Sequence, residues 1–366
     1  MNGTVYEYVH GGDVYGADGT ADGGAIDFSA SINPLGMPEN ALDAAKRSLG
    51  QSVIYPDSGS RRLSNAIAAY ENADQRRIFC SNGASDIIFR IAAAIRPRKI
   101  LVAAPSFADY ERAGRALGAE AARYVLSKEN GFNIGRGFVK TVRDEAPGIV
   151  FLCNPNNPTG CLAGYGLLAE IAAACAETGA VLVVDECFLD FVRGADQYTA
   201  KPLTEVYKNV VVLKAFTKIF AMPGLRLGYA ICGDEAFVSR LRLCGADWPV
   251  SNVAQAAGAA ALEGGREHVE KSVAYIDAER RRLAAALADT GLTVYPARAN
   301  FIFFHCAWNA DLGRELRKNG VIIRDCANFP GLEPGYYRAA VLTAEKNARL
   351  IESVKAARAS TPLHNC

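Results

Sequence analysis

The sequence predicts an α/β fold in which a large domain, built on a mostly parallel sheet, carries a smaller α+β domain. Three observations lead there. From about residue 61 to 243, short β-branched runs alternate with alanine-rich stretches of helical periodicity, the pattern of strand–helix units stacked on one sheet. After Trp248-Pro249 that alternation stops, and a helix, a long charged helix and a group of short strands take its place. The chain has 366 residues, 50% of them apolar, enough to bury a large core and long enough for two domains.

Taken in order, strands are expected at 99–103, 148–153, 180–185, 209–214 and 227–232, each largely apolar, as a strand covered on both faces must be. Between them, 85–95, 107–117 and 164–178 repeat apolar residues at helical spacing. Asn154, Asp185 and residues 215–218 fall at or just past strand ends. In open α/β sheets the ligand crevice lies outside the carboxyl ends of the strands, so one crevice can collect all three. Beyond 248, helices are expected from about 252 and over 266–289. Strands follow at 293–295, 300–305, 320–324 and 337–342, then a terminal helix at 343–359. The large domain is thus 46–247 and the small one 248–366, with a frayed tail at 361–366.

Composition excludes several classes of function. Forty basic residues face 39 acidic ones, a formal charge of +1, with no basic stripe interleaved with aromatics for a nucleic acid. Residues 1–24 lack the basic start and apolar run of a secretory signal, and no stretch reaches the length of a membrane span, so the protein is expected in the cytoplasm. Ten cysteines are scattered through apolar segments without a C-x-x-C, which reads as buried reduced thiols. Four histidines, none paired at helix spacing, predict no metal site.

The chemistry sits in four short motifs. V-V-D-E-C-F (183–188) closes an apolar strand on Asp185, F-T-K-I-F (216–220) holds Lys218, and P-G-L-R-L-G-Y (223–229) holds Arg226; N-P-N-N-P-T-G (154–160) lies upstream. Alone, Lys218 reads as a surface lysine, and for Asp185 a helix cap is the lesser alternative to a paired carboxylate. Together they form a site for pyridoxal phosphate (PLP). A lysine amine can condense with the cofactor's aldehyde, and an arginine eight residues on can grip its phosphate with a bidentate fork. A carboxylate at the end of a buried strand needs a partner, and the pyridinium nitrogen is one that keeps the ring able to accept electrons. The apolar setting of Lys218 (Phe216, Ile219, Phe220) would lower its pKa by desolvation. The prolines hold Asn157 within reach of the ring's O3′. S-N-G-A-S-D (81–86) opens a helix whose first amides are a ready anion site.

This arrangement resembles the fold-type I PLP-dependent enzymes over nearly the whole chain. Six further segments narrow the likeness: H-G-G-D (10–13), D-F-S-A-S-I-N-P-L-G-M-P (27–38), Y-P-D (55–57), W-P-V-S-N-V-A (248–254), I-R-D-C-A-N-F-P-G-L (323–332) and Y-Y-R-A-A-V (336–341). They resemble the threonine-phosphate decarboxylase group, close kin of the histidinol-phosphate aminotransferases. The resemblance implies that Gly83, Ala84 and Ser85 form the phosphate turn, with Thr217 as a supplement, and that Phe107 stacks on the ring, with Tyr110 in reserve. It also implies an arm, 1–45, joining the small domain, and a homodimer in which Tyr55 reaches the cofactor phosphate of the neighbouring subunit.

Two positions depart from the broader pattern. Ala215 stands where relatives usually place a serine or threonine phosphate donor, a loss of about 1.5–3 kcal/mol if nothing replaces it. Phe188 stands where many aminotransferases have a tyrosine donating to O3′; the decarboxylase group also has phenylalanine there.

The bond at Cα that stands perpendicular to the cofactor ring is the one that breaks, so the groups gripping the substrate's anions choose the reaction. Arg338 matches the family's carboxylate-binding arginine; Arg324, His10 and Asn33 join it as candidate substrate residues, a set suited to a molecule with a carboxylate and a phosphate. By resemblance that small molecule is O-phospho-L-threonine, or phosphoserine as a variant. It would lose CO2 to give (R)-1-amino-2-propanol O-2-phosphate, a component of the cobalamin side chain. The alternatives are an aminotransferase of the histidinol-phosphate type and a catalytically silent homologue that binds an effector.

Overall fold

The computed structural model describes residues 10–15, 20 and 24–360. The tail at 361–366 and residues 1–9, 16–19 and 21–23 of the expected arm lie outside the described residues. Among the described residues no helix is long and apolar enough to cross a membrane.

Among the described residues thirteen strands form three sheets. In chain order they are β1 (Ile26–Asp27), β2 (Ile78–Ser81), β3 (Lys99–Ala104), β4 (Glu120–Val125), β5 (Ile149–Cys153), β6 (Val181–Asp185) and β7 (Val210–Ala215). Then come β8 (Gly228–Cys232), β9 (Thr293–Tyr295), β10 (Phe301–His305), β11 (Val321–Ile322), β12 (Arg324–Asp325) and β13 (Tyr336–Ala340). Seven make the central sheet in the order β2-β8-β7-β6-β5-β3-β4. Only β8 runs against the others. The five strands expected from the sequence are all present within a residue or two. The central ones (IVFLC, VLVVD, VVVLKA) are almost wholly buried, as their unbroken apolar runs require. β2 and β4 are additional to those expected: β2 has only four residues, and β4 (EAARYV) is a half-exposed edge strand without a β-branched run.

A second sheet, antiparallel in the order β12-β13-β10-β9, is formed by the C-terminal part of the chain. The single strand expected at 320–324 is in fact two. β12 pairs with β13, whereas β11 leaves that sheet to pair in parallel with β1. Phe28 continues the link: its N–H donates to the Ile322 carbonyl (2.7 Å), and its own carbonyl accepts from the Ala340 N–H (2.7 Å). No periodicity marks this pairing, since a two-residue strand has none. Its consequence is positional: the next residues, Ser29 and Ala30, are carried to the edge of the crevice beside Arg338.

Candidate active site

The carboxyl ends of β5, β6 and β7 and the first turn of the helix Gly83–Ile95 enclose a cleft of about 370 Å³, within the size range of small-ligand sites. Of the groups expected to share one crevice, Asp185 and the segment 215–218, through Ala215, Thr217 and Lys218, line it, whereas Asn154 does not: its amide donates to the Ala163 (3.1 Å) and Tyr198 (2.7 Å) carbonyls, and Asn157 of the same loop lines the crevice instead.

One end of the cleft is built for an anion. The helix Gly83–Ile95 starts one residue after β2, and Asn82 before it makes no side-chain cap, so its first amides are left for a ligand. Ala84, Ser85, Thr217 and Arg226 line this end, as does Ala215. Gly83 has φ +82° and presses so close to Arg226 that a Cβ there would lie 2.6 Å from the guanidinium Nη2. Gly228 on β8 serves from behind, since a Cβ would meet the Ala84 amide nitrogen at 2.6 Å. Two bare glycines therefore bring a helix terminus and an arginine to one point.

At the other end Asp185, 6% exposed, closes β6. Its Oδ1 accepts from the Cys187 N–H (3.0 Å) and its Oδ2 from the Tyr110 hydroxyl (2.7 Å). Phe107 lines the cleft; Tyr110 lies below it, stacked on Phe151 at 5.1 Å and 7°. Tyr110 is therefore not a ring-stacking face, and its contact with Asp185 was not foreseen. Lys218, on the short helix Phe216–Ile219 after β7, donates to the Ala30 carbonyl (3.1 Å) and lies 5.5 Å from the centroid of the Phe188 ring. Burial, followed by the charge of Arg338, pushes its amine down to about 8.

Arg338, on β13, is buried and is brought down to about 10 by desolvation. It donates to the Asn157 side-chain oxygen and to the Ser29 carbonyl (2.6 Å), leaving its Nε without a partner among the described residues. Arg324, on β12, is more exposed: its Nη2 donates to Asn328 Oδ1 (2.8 Å) and its guanidinium sits 4.9 Å from the Phe329 ring centroid. His10 packs on Phe107 with centroids 5.3 Å apart and meets Asp109 Oδ1 at 3.3 Å.

Besides Gly83, which backs the cleft without lining it, and Tyr110, two expected site residues are not in this cleft. Asn33 is buried away from it; its amide donates to the Ile219 carbonyl (2.7 Å) and Ser272 Oγ (2.8 Å), and its backbone N–H donates to the Lys218 carbonyl (3.1 Å). It anchors the turn that carries the lysine instead of facing a ligand. Tyr55 is 77% exposed and stacks on Trp248 at 4.4 Å.

The class I and II aminotransferase family profile matches residues 24–354. The chain belongs to that family. It is 34% identical to the threonine-phosphate decarboxylase of Salmonella typhimurium strain LT2 over 356 residues, covering 96% of this chain and 97% of the relative. It is 33% identical to a histidinol-phosphate aminotransferase of Symbiobacterium thermophilum, covering 91% and 90%. The crystal structure of the histidinol-phosphate aminotransferase from Clostridium acetobutylicum superposes with a TM-score of 0.84 at 28% identity, over 91% of this chain and 98% of that one.

PLP, the cofactor of this family, fits the residues present. Gly83 and Gly228 bring the helix terminus and Arg226 together at one end of the cleft, the donor set a phosphate needs; a buried carboxylate stands at the other end, and an amine of lowered basicity lines the cleft with them.

Proposed function

We propose that this protein is a PLP-dependent decarboxylase of an O-phospho amino acid, most specifically of L-threonine O-3-phosphate, releasing CO2 and (R)-1-amino-2-propanol O-2-phosphate. The observation that carries the reading is that Arg338 and Arg324 line the same cleft as Lys218 and Asp185, giving a substrate two separate anion grips around one amine. The identity to the Salmonella enzyme along nearly the whole of both chains supports it.

Bound in the cleft, PLP supplies an aldehyde to take up the substrate amine and a ring to accept the electron pair of the bond broken at Cα. Lys218 would hold the cofactor through its amine. Arg226, Ser85, Thr217 and the amides after Gly83 would hold its phosphate; Asp185 would pair with the ring nitrogen; Asn157, fixed by Arg338, would donate to the ring's O3′; Phe107 would cover the ring. One of the two arginines takes the carboxylate and the other the phosphate, with His10 beside the mouth of the cleft. Loss of CO2 leaves Cα one proton short, and the Lys218 ammonium is the group placed to deliver it.

The same reading divides the chain into an arm (1–45), a large domain (46–247) and a small one (248–366); the pairing of β1 with β11 supports the arm's place. It also makes the protein a homodimer in which Tyr55 of one subunit reaches the cofactor phosphate of the other. In support, Tyr55 follows the exposed Leu49, Val53 and Ile54 in sequence and stacks on the half-exposed Trp248, exposed apolar side chains suited to a partner. Sedimentation should give a dimer; a monomer at working concentrations would remove this part.

The test is incubation of the holoprotein with L-threonine O-3-phosphate and no 2-oxo acid. Equal amounts of CO2 and amine product over many turnovers support decarboxylation. Conversion of the cofactor to pyridoxamine phosphate without CO2 would favour the histidinol-phosphate type of aminotransferase, and failure to take up PLP would favour the silent homologue.

A further inference from the structure

Tyr110 is buried to 1% exposure and bound on three sides. Its ring lies parallel to Phe151 (5.1 Å, 7°) and edge-on to Phe107 (5.6 Å, 79°), and its hydroxyl donates to Asp185 Oδ2 at 2.7 Å. Its position at the start of the helix Asp109–Ala116, just after β3, puts the hydroxyl across the sheet from its own strand, beneath the end of β6.

We propose that Tyr110 is a positioning residue that fixes the Asp185 carboxylate, in orientation and in charge, for its pairing with the cofactor's ring nitrogen. The proposal rests on the reading of the cleft as a PLP site. Among the described residues the Cys187 N–H donates to Oδ1 and the phenol to Oδ2, and the Cys187 thiol also bonds the carboxylate. A carboxylate has about four acceptor positions, so room remains for one charge-assisted bond to a ring N–H. A donor on Oδ2 stabilises the anion. The proton of the acid–pyridine pair is therefore kept on the ring, where it makes the ring an electron acceptor. Burial, followed by the Asp185 charge, pushes the phenol well above its usual value, so it remains a donor and does not compete as an acid. The groups around it are Asp185 and Cys153, and that thiol is pushed up as well by burial and then by the same carboxylate.

Tyr110→Phe keeps the ring packing and removes only the donor. With PLP labelled with 15N at the ring nitrogen, the unsubstituted holoprotein should give the chemical shift of a protonated ring, and Tyr110→Phe a shift moved toward the unprotonated value. Turnover should fall about 10- to 150-fold, the range for one hydrogen bond to a charged group, with KM changed far less. Phe151→Leu, which loosens the stack but keeps the hydroxyl, should leave the shift in place. An unchanged shift in Tyr110→Phe would overturn the proposal while leaving the cofactor reading intact; failure of the unsubstituted protein to bind the labelled cofactor would overturn both. Should the phenylalanine variant not fold, the unsubstituted protein still decides: the 13C shift of Tyr110 Cζ must stay at the neutral-phenol value through pH 10, and ionisation below that pH would refute the donor role.

Discussion

Replacing Gly83 with alanine probes the anion end of the cleft with one added methyl group. Two costs follow from the structure, and they appear in different measurements. Gly83 sits at φ +82°, where a residue with a Cβ is strained by about 1–2 kcal/mol, a cost to the fold with or without cofactor. The new Cβ would also lie 2.6 Å from Arg226 Nη2, so the guanidinium must move away from the helix terminus. Losing that arginine's bond to a phosphate should cost about 1.5–3 kcal/mol of cofactor binding, roughly 10- to 150-fold in Kd. The assay is a PLP titration of the apoprotein followed by absorbance, beside urea unfolding of the same apoprotein. A variant destabilised by the expected amount yet binding PLP within twofold of the parent would refute the placement of Arg226 on the phosphate.

Other perturbations test the remaining roles. Lys218→Ala should abolish multiple turnover, measured as CO2 release, while PLP still binds at the phosphate cradle. Asp185→Asn should keep the cofactor bound and lower kcat; a normal kcat would mean that the ring nitrogen has another partner. Arg338→Lys should raise the substrate KM, because an ammonium cannot replace a fork that already serves Asn157 and Ser29. PLP uptake by the apoprotein should accelerate as pH rises and level off above about 8, as the Lys218 amine loses its proton. The stability linkage has the same sign. The unfolded chain holds that proton up to the ordinary lysine value of 10.5, so between about 8 and 10.5 it binds more protons than the folded chain, and this residue's contribution to stability rises with pH.

The central strands and most of the helices were legible because buried parallel strands are unbroken apolar runs and their helices repeat at 3.6 residues. The exceptions share a cause. β4 lies at an edge, half in water, and β1, β11 and β12 have two residues each, too few to show any period. The candidate cofactor residues were legible because Lys218, Asp185 and Asn157 stand at or just past the carboxyl ends of neighbouring strands and Arg226 at a fixed interval after Lys218. The neighbours that orient them were not: Tyr110 meets Asp185 across 75 positions of sequence and Ser29 meets Arg338 across 309, distances that no local pattern spans. Asn33 belongs to a motif that resembles the family's, yet its polar atoms are spent inside the protein on Ile219 and Ser272. A motif marks a segment as important; only the fold shows whether its side chain faces a ligand or its own backbone.

The account depends on Lys218 being the group that carries the cofactor. Borohydride reduction of the holoprotein, followed by peptide mapping, measures this directly. The expected result is a single phosphopyridoxyl adduct on Lys218, with Lys214, four residues away and paired with Glu71 and Asp190, unlabelled. An adduct on any other lysine, or none at all, would contradict it.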